Sequence, residues 1–101
     1  MNIQIIGDNL EISESNRIMI EDKVASRLDR LLTKFDNDMK TASMRIIKDK
    51  LGNFIINFDM NLPKKTHIYA QTTHKIFESA LIDLSQDIER QIEKFKTVIL
   101  K

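Results

Sequence analysis

The spacing of apolar residues along this chain switches between two and about three and a half, and each switch marks an element. Ile3 and Ile5 flank Gln4 in a short strand that ends at Gly7. The period then lengthens, and Ile18, Glu21, Val24, Ala25, Leu28, Leu31, Leu32 and Phe35 define the inward side of a helix, with Glu21 as its charged flaw at the edge. Ser13 is placed to cap that helix, with Glu14 and Glu21 near its positive end and Arg30 and Lys34 near its negative end. Asp36, Asn37 and Asp38 end it in a polar turn. Residues 41–47 alternate as a strand with Ala42, Met44 and Ile46 on one face, and the segment Lys48 to Asn53, with Gly52, reads as a turn. Phe54, Ile56, Phe58 and Met60 alternate against Ile55, Asn57, Asp59 and Asn61, as in a sheet with one buried face. After a turn at Pro63, Lys64 and Lys65, Thr66 to Thr72 is a last strand with Ile68 and Ala70 inward. Helical spacing then returns over about residues 75–97 in Phe77, Leu81, Leu84, Ile88, Ile92 and Phe95, with Ala80 beside them.

The resulting order is β-α-β-β-β-α, an α+β fold. Short connections favour two adjacent hairpins, and the crossover through the first helix places strand one parallel to strand two. The predicted sheet order is 1-2-3-4, with both helices on its single apolar face. The stripe on the last helix also fits a coiled-coil seam, but it covers only about three heptads and the sheet needs a cover. Residues 1–101 are read as one domain, a length that can bury a modest core without staples.

Charge changes this picture locally rather than globally. Sixteen basic and fifteen acidic side chains leave a net charge of +1. Lys23, Arg27, Arg30 and Lys34 nevertheless recur at helical spacing and, at about 100° per residue, fall within roughly 60° of one another. Such a row can track an anionic backbone or be the solvated back of an amphipathic helix, and the residues alone leave both open. The last helix has a second basic region in Arg90 and Lys94, with Lys96 lying away from it, below an acidic stretch at Asp83 and Asp87. Lys48, Lys50, Lys64 and Lys65 add charge at the hairpin turns.

Candidate chemistry is sparse. The chain has no cysteine, which removes thiol catalysis, disulfides and cysteine metal sites and suits a reducing cytosol. The N-terminus lacks the basic leader and long apolar run of a signal peptide, so an intracellular, cytoplasmic protein without membrane attachment is expected. No phosphate-gripping glycine loop, HExxH or nucleophile elbow occurs. Two histidines, His67 outward on strand four and His74 at the entrance of the last helix, could with a carboxylate hold a metal in a small enzyme. The plainer expectation is no catalysis, no cofactor, no metal and no small-molecule substrate. The open sheet face, with Ser43, Arg45, Asn57, Asp59, His67 and Tyr69, lacks the paired aromatics of an RNA-stacking sheet. That face or the long helix could instead serve a protein-interaction adaptor.

The element order, the opening MNIQIIGDNLEIS, the H-x-x-A segment from His67 to Ala70 and the closing IERQIEKFK resemble the ribosome hibernation-promoting and ribosome-associated inhibitor family, also described as sigma-54 modulation proteins. The likeness runs from Met1 to about Lys96 and matches the short form without a C-terminal dimerisation domain. It implies a fold related to double-stranded-RNA-binding domains. It also implies a non-enzymatic factor that occupies the messenger and transfer RNA channel of the small ribosomal subunit. Translation is then blocked, and inactive ribosomes are preserved in stationary phase or stress. The implied partners are the small subunit, the 70S ribosome and the ribosomal RNA backbone; a monomeric free protein is compatible with this. The implied RNA contacts fall on Lys23, Arg27, Arg30 and Lys34 and on Arg90, Lys94 and Lys96. Where the family carries an aspartate–apolar–tyrosine signature at the start of the last helix, this chain reads HKIFESALID.

Overall fold

The computed structural model describes residues 2–33, 41–62 and 65–99, with residues 98 and 99 described by backbone alone. Strand β1 (Asn2–Asp8) leads into a first helix, followed by β2 (Thr41–Lys48), β3 (Phe54–Leu62), β4 (Thr66–His74) and a second helix, Phe77–Ile99. The sheet order is β1-β2-β3-β4, with β1 parallel to β2 and the other pairs antiparallel, as the pattern predicts.

Period two decides the faces. Ala42, Met44, Ile46, Ile56, Phe58, Met60, Leu62, Ile68 and Ala70 form one buried side of the sheet, and both helices close over it. The second helix contributes Phe77, Ala80, Leu81, Leu84, Ile88, Ile92 and Phe95, all the apolar positions its periodicity predicts. It is tied to β4 at three places: the Thr72 hydroxyl donates to the Ala80 carbonyl (3.1 Å), His74 pairs with Asp83, and the Gln91 amide donates to the Tyr69 carbonyl (2.8 Å). At the start of this helix the Phe54 and Phe77 rings meet at 5.4 Å between centroids, tilted by 59°.

Two boundaries differ from expectation where β4 meets the second helix, and β2 also runs one residue further, through Lys48. Strand β4 continues through His74, so that histidine ends a strand instead of opening a helix, and the second helix starts at Phe77. The reason is the ladder: Thr73 and His74 still have partners in Ile55 and Phe54, which extends the strand beyond Thr72. The expected turns at Asp36 to Asp38 and at Pro63 and Lys64, and the inward placement of Phe35, lie outside the described residues.

The first helix departs more deeply. It is α-helical over Glu14–Ile20, π-helical over Glu21–Ala25 and α-helical again over Ser26–Leu31. The Ser26 N–H donates to the Glu21 carbonyl five residues back, the bond that defines the wider turn. Its buried positions are Ile20, Val24, Leu28 and Leu32, four apart throughout, with Ala25 beside them. In a straight α-helix each four-residue step rotates by roughly 40°, so such a series would wind off the sheet. The wide turn absorbs that rotation. The expected inward stripe therefore holds from Val24 to Leu32 and fails before it: Ile18 is 61% exposed and Glu21 is exposed, while Ile20 takes the core position. Ser13 caps the helix as predicted, its hydroxyl accepting from the Asn16 N–H (3.0 Å) while Asn16 Oδ1 accepts from the Ser13 N–H (3.2 Å).

Candidate nucleic-acid interface

Lys23 lies in the π-helical turn, and Arg27 and Arg30 lie in the α-helical segment that follows. All three border one groove of about 370 Å³ between the two helices, with Ile82, Ser85 and Gln86 of the second helix as its opposite wall. Among the described residues that border the groove Asp22 is the one carboxylate, and it sits 3.8 Å from the Lys23 ammonium, in an exposed pair of small energetic weight. Arg27 reaches across the groove to the second helix, its Nη1 donating to Ser85 Oγ at 3.3 Å. The basic row is thus a physical cluster for its first three members. Lys34, the fourth, lies outside the described residues.

The basic positions of the second helix fall elsewhere. Arg90 and Lys94 border a separate open depression of about 930 Å³ together with Gln86, Glu89, Glu93 and Thr97. Two cations and two carboxylates share this rim, and Arg90 also stands 3.8 Å from Asp87. The depression is electrostatically mixed, whereas the groove is dominated by cations. Gln86 borders both, so the two surfaces are neighbours on the molecule. Lys96 is half-buried and borders neither.

Three groove residues escape a reading of the sequence by charge alone: Ile82, Ser85 and Gln86. Ser85 carried a signal, because it is a polar residue in phase with the apolar stripe of Leu81, Leu84 and Ile88. It is buried, with 1% exposure.

The two histidines do not converge. His67 pairs with Asp59 on the open sheet face, and His74 pairs with Asp83. Seven residues along an extended strand set them roughly 23 Å apart. Among the described residues no group of three or more histidine, aspartate or glutamate side chains is arranged to hold a metal ion. The open face carries Ser43, Arg45, Asp59 and Tyr69 as exposed side chains, with Arg45 3.5 Å from Asp8 at the β1 edge. No helix among the described residues is long and apolar enough to cross a membrane.

Comparison with known proteins places this geometry. A ribosome hibernation promotion factor from Deinococcus radiodurans is 31% identical over 98 residues, covering 97% of this chain and 50% of the relative. The chain therefore spans about half the length of that protein. Among solved structures, the N-terminal domain of Protein Y from Thermus thermophilus matches with a TM-score of 0.81 at 25% identity, covering 94% of this chain and 99% of that one. A ribosomal subunit interface protein from Coxiella burnetii shares the fold with a TM-score of 0.77 at 24% identity, over 96% of this chain and 99% of that one. The profile of the family described as sigma 54 modulation protein / S30EA ribosomal protein matches residues 3–99. With that match spanning nearly every element from β1 to the second helix, the chain belongs to the sigma 54 modulation protein / S30EA ribosomal protein family.

Proposed function

We propose that this chain is a cytoplasmic, non-enzymatic ribosome-binding factor of a single domain. In this reading it occupies the messenger and transfer RNA channel of the small subunit, inhibits translation and preserves inactive ribosomes under stress. Phosphate contacts to ribosomal RNA are assigned to Lys23, Arg27, Arg30 and Lys34 first, and to Arg90, Lys94 and Lys96 second. The observation that carries the reading is the convergence of Lys23, Arg27 and Arg30 on one groove, in a chain of this family. Three cations gathered on a chain of net charge +1 make a local field that the total charge does not reveal. No bond is made or broken, and occupancy alone accounts for the effect.

Co-sedimentation with purified small subunits tests this. Binding is expected to fall steeply as salt rises, with the three groove cations contributing a slope of about −2 to −3 in log affinity against log salt. Arg27→Glu with Arg30→Glu is expected to abolish most binding while the thermal melt stays cooperative. A folded double variant that sediments with subunits as the wild type does would remove the groove from the interface. Toeprinting of messenger RNA on the bound subunit tests channel occupancy separately, since a factor bound elsewhere leaves initiation intact.

A further inference from the structure

Ser85 is a polar residue with 1% exposure, in phase with the apolar stripe of the second helix, and a buried hydroxyl costs free energy unless it is hydrogen-bonded. Its hydroxyl donates to the Ile82 carbonyl at 2.9 Å, one turn back along the second helix. That bond commits the only proton on the side chain, so the oxygen can act toward any other neighbour only as an acceptor. The neighbour is Arg27 of the first helix, whose Nη1 donates to Ser85 Oγ at 3.3 Å across 58 residues of sequence. A guanidinium has five N–H donors and no acceptor, which is the complement this oxygen requires. Because the guanidinium is planar, holding one nitrogen restricts the orientation of the others. Ser85, Lys23, Arg27 and Arg30 all border the same groove.

We propose that Ser85 is a positioning residue for Arg27, and that the groove between the helices is a seat for one phosphate group of an RNA backbone. Arg27 forms the oriented donor of that seat, and Lys23 and Arg30 flank it from the first helix. This rests on the ribosome-binding reading above and adds to it a buried residue without charge. Ser85 does not touch the RNA. It removes side-chain freedom from Arg27 before binding, so less is lost when the phosphate arrives.

The test is a double-mutant cycle on the full chain, with purified small ribosomal subunits as the probe, read at several salt concentrations. Ser85→Ala is expected to weaken binding about three- to tenfold, the loss of one net hydrogen bond, with the salt slope unchanged because no charge is removed. Arg27→Gln is expected to weaken it further and to reduce the slope by about 0.7 to 0.9. In the Arg27→Gln background, Ser85→Ala is expected to have no additional effect, since there is nothing left to orient. Thermal melting accompanies each variant. If Ser85→Ala does not fold, Ser85→Cys is carried through the same cycle, as sulfur is a weak acceptor of similar size. Equal losses from Ser85→Ala in both backgrounds, or none in either, overturn the positioning role while leaving the groove as an RNA contact. Unchanged binding by Arg27→Gln overturns the contact itself.

Discussion

Single residues at the β2–β3 turn show how the fold stores a measurable pH dependence. The Asp49 carboxylate accepts from the backbone N–H groups of Asn53 (2.8 Å) and Leu51 (2.9 Å) and from the Asn53 side-chain amide (3.2 Å). These bonds hold its carboxyl below the ordinary carboxylate range, the Asn53 backbone N–H contributing most. A folded-state pKa that is depressed stabilises the fold above the unfolded value, and that contribution is lost as pH falls through the folded one. The melting temperature of Asp49→Ala is therefore expected to lie below that of the wild type at neutral pH. The gap should close as pH drops below about 3.9. A gap that stays constant into strong acid would mean that Asp49 acts through something other than its charge. The turn itself was readable from Gly52, which takes a φ of +85°, a conformation open to glycine and strained for other residues. The bonding of Asp49 was not, because it depends on three donors being turned inward together.

At the scale of elements, the first helix separates what periodicity shows from what it assumes. Counting at a fixed 100° per residue put Ile18 and Glu21 on the inward side. The π-helical turn at Glu21–Ala25 changes the phase, so that Ile20 is buried and Ile18 is not. Ile20→Ala is expected to cost about 2–5 kcal/mol, as deletion of a core aliphatic group does. Ile18→Ala should stay within about 0.5 kcal/mol of the wild type. Chemical denaturation of the two variants decides between the phases, and the reverse order would restore an unbroken α-helix. A hint was present in the sequence, since Ile20, Val24, Leu28 and Leu32 repeat strictly by four. Local propensity could not choose between that series and the one beginning at Ile18, because both share Val24 and Leu28. Packing of the helix on the sheet makes the choice. The second helix presented no such ambiguity, as its buried apolar residues keep a single unbroken phase from Phe77 to Phe95.

For the whole molecule, the two basic regions of the sequence are unequal once folded. Lys23, Arg27 and Arg30 face a groove with one carboxylate among its described residues, whereas Arg90 and Lys94 share their rim with Glu89 and Glu93. Reversing Arg90 and Lys94 to glutamate is accordingly expected to weaken small-subunit binding less than reversing Arg27 and Arg30. Sedimentation of the two double variants side by side at one salt concentration measures this. If the Arg90 and Lys94 pair proves the more damaging, the long helix and not the groove is the principal contact. The cause of the inequality is composition at helical spacing: Asp87 and Glu93 each stand three positions from Arg90, and Glu93 is next to Lys94, so the opposite charges largely offset one another at the surface.

The order of elements, the strand pairing and the buried sheet face follow from the residue pattern, because period two and short connections leave few ways to cover one apolar surface. That the basic side chains of the first helix stand in a row follows likewise, from spacing within one element. What lies across from that row is set by the packing of the two helices. Ile82, Ser85 and Gln86 are more than 50 residues away along the chain, and nothing local to either helix specifies their meeting. The π-helical turn belongs to the same class. It exists because a helix must keep one face on a sheet that does not turn with it, and that demand arises only when the two pack.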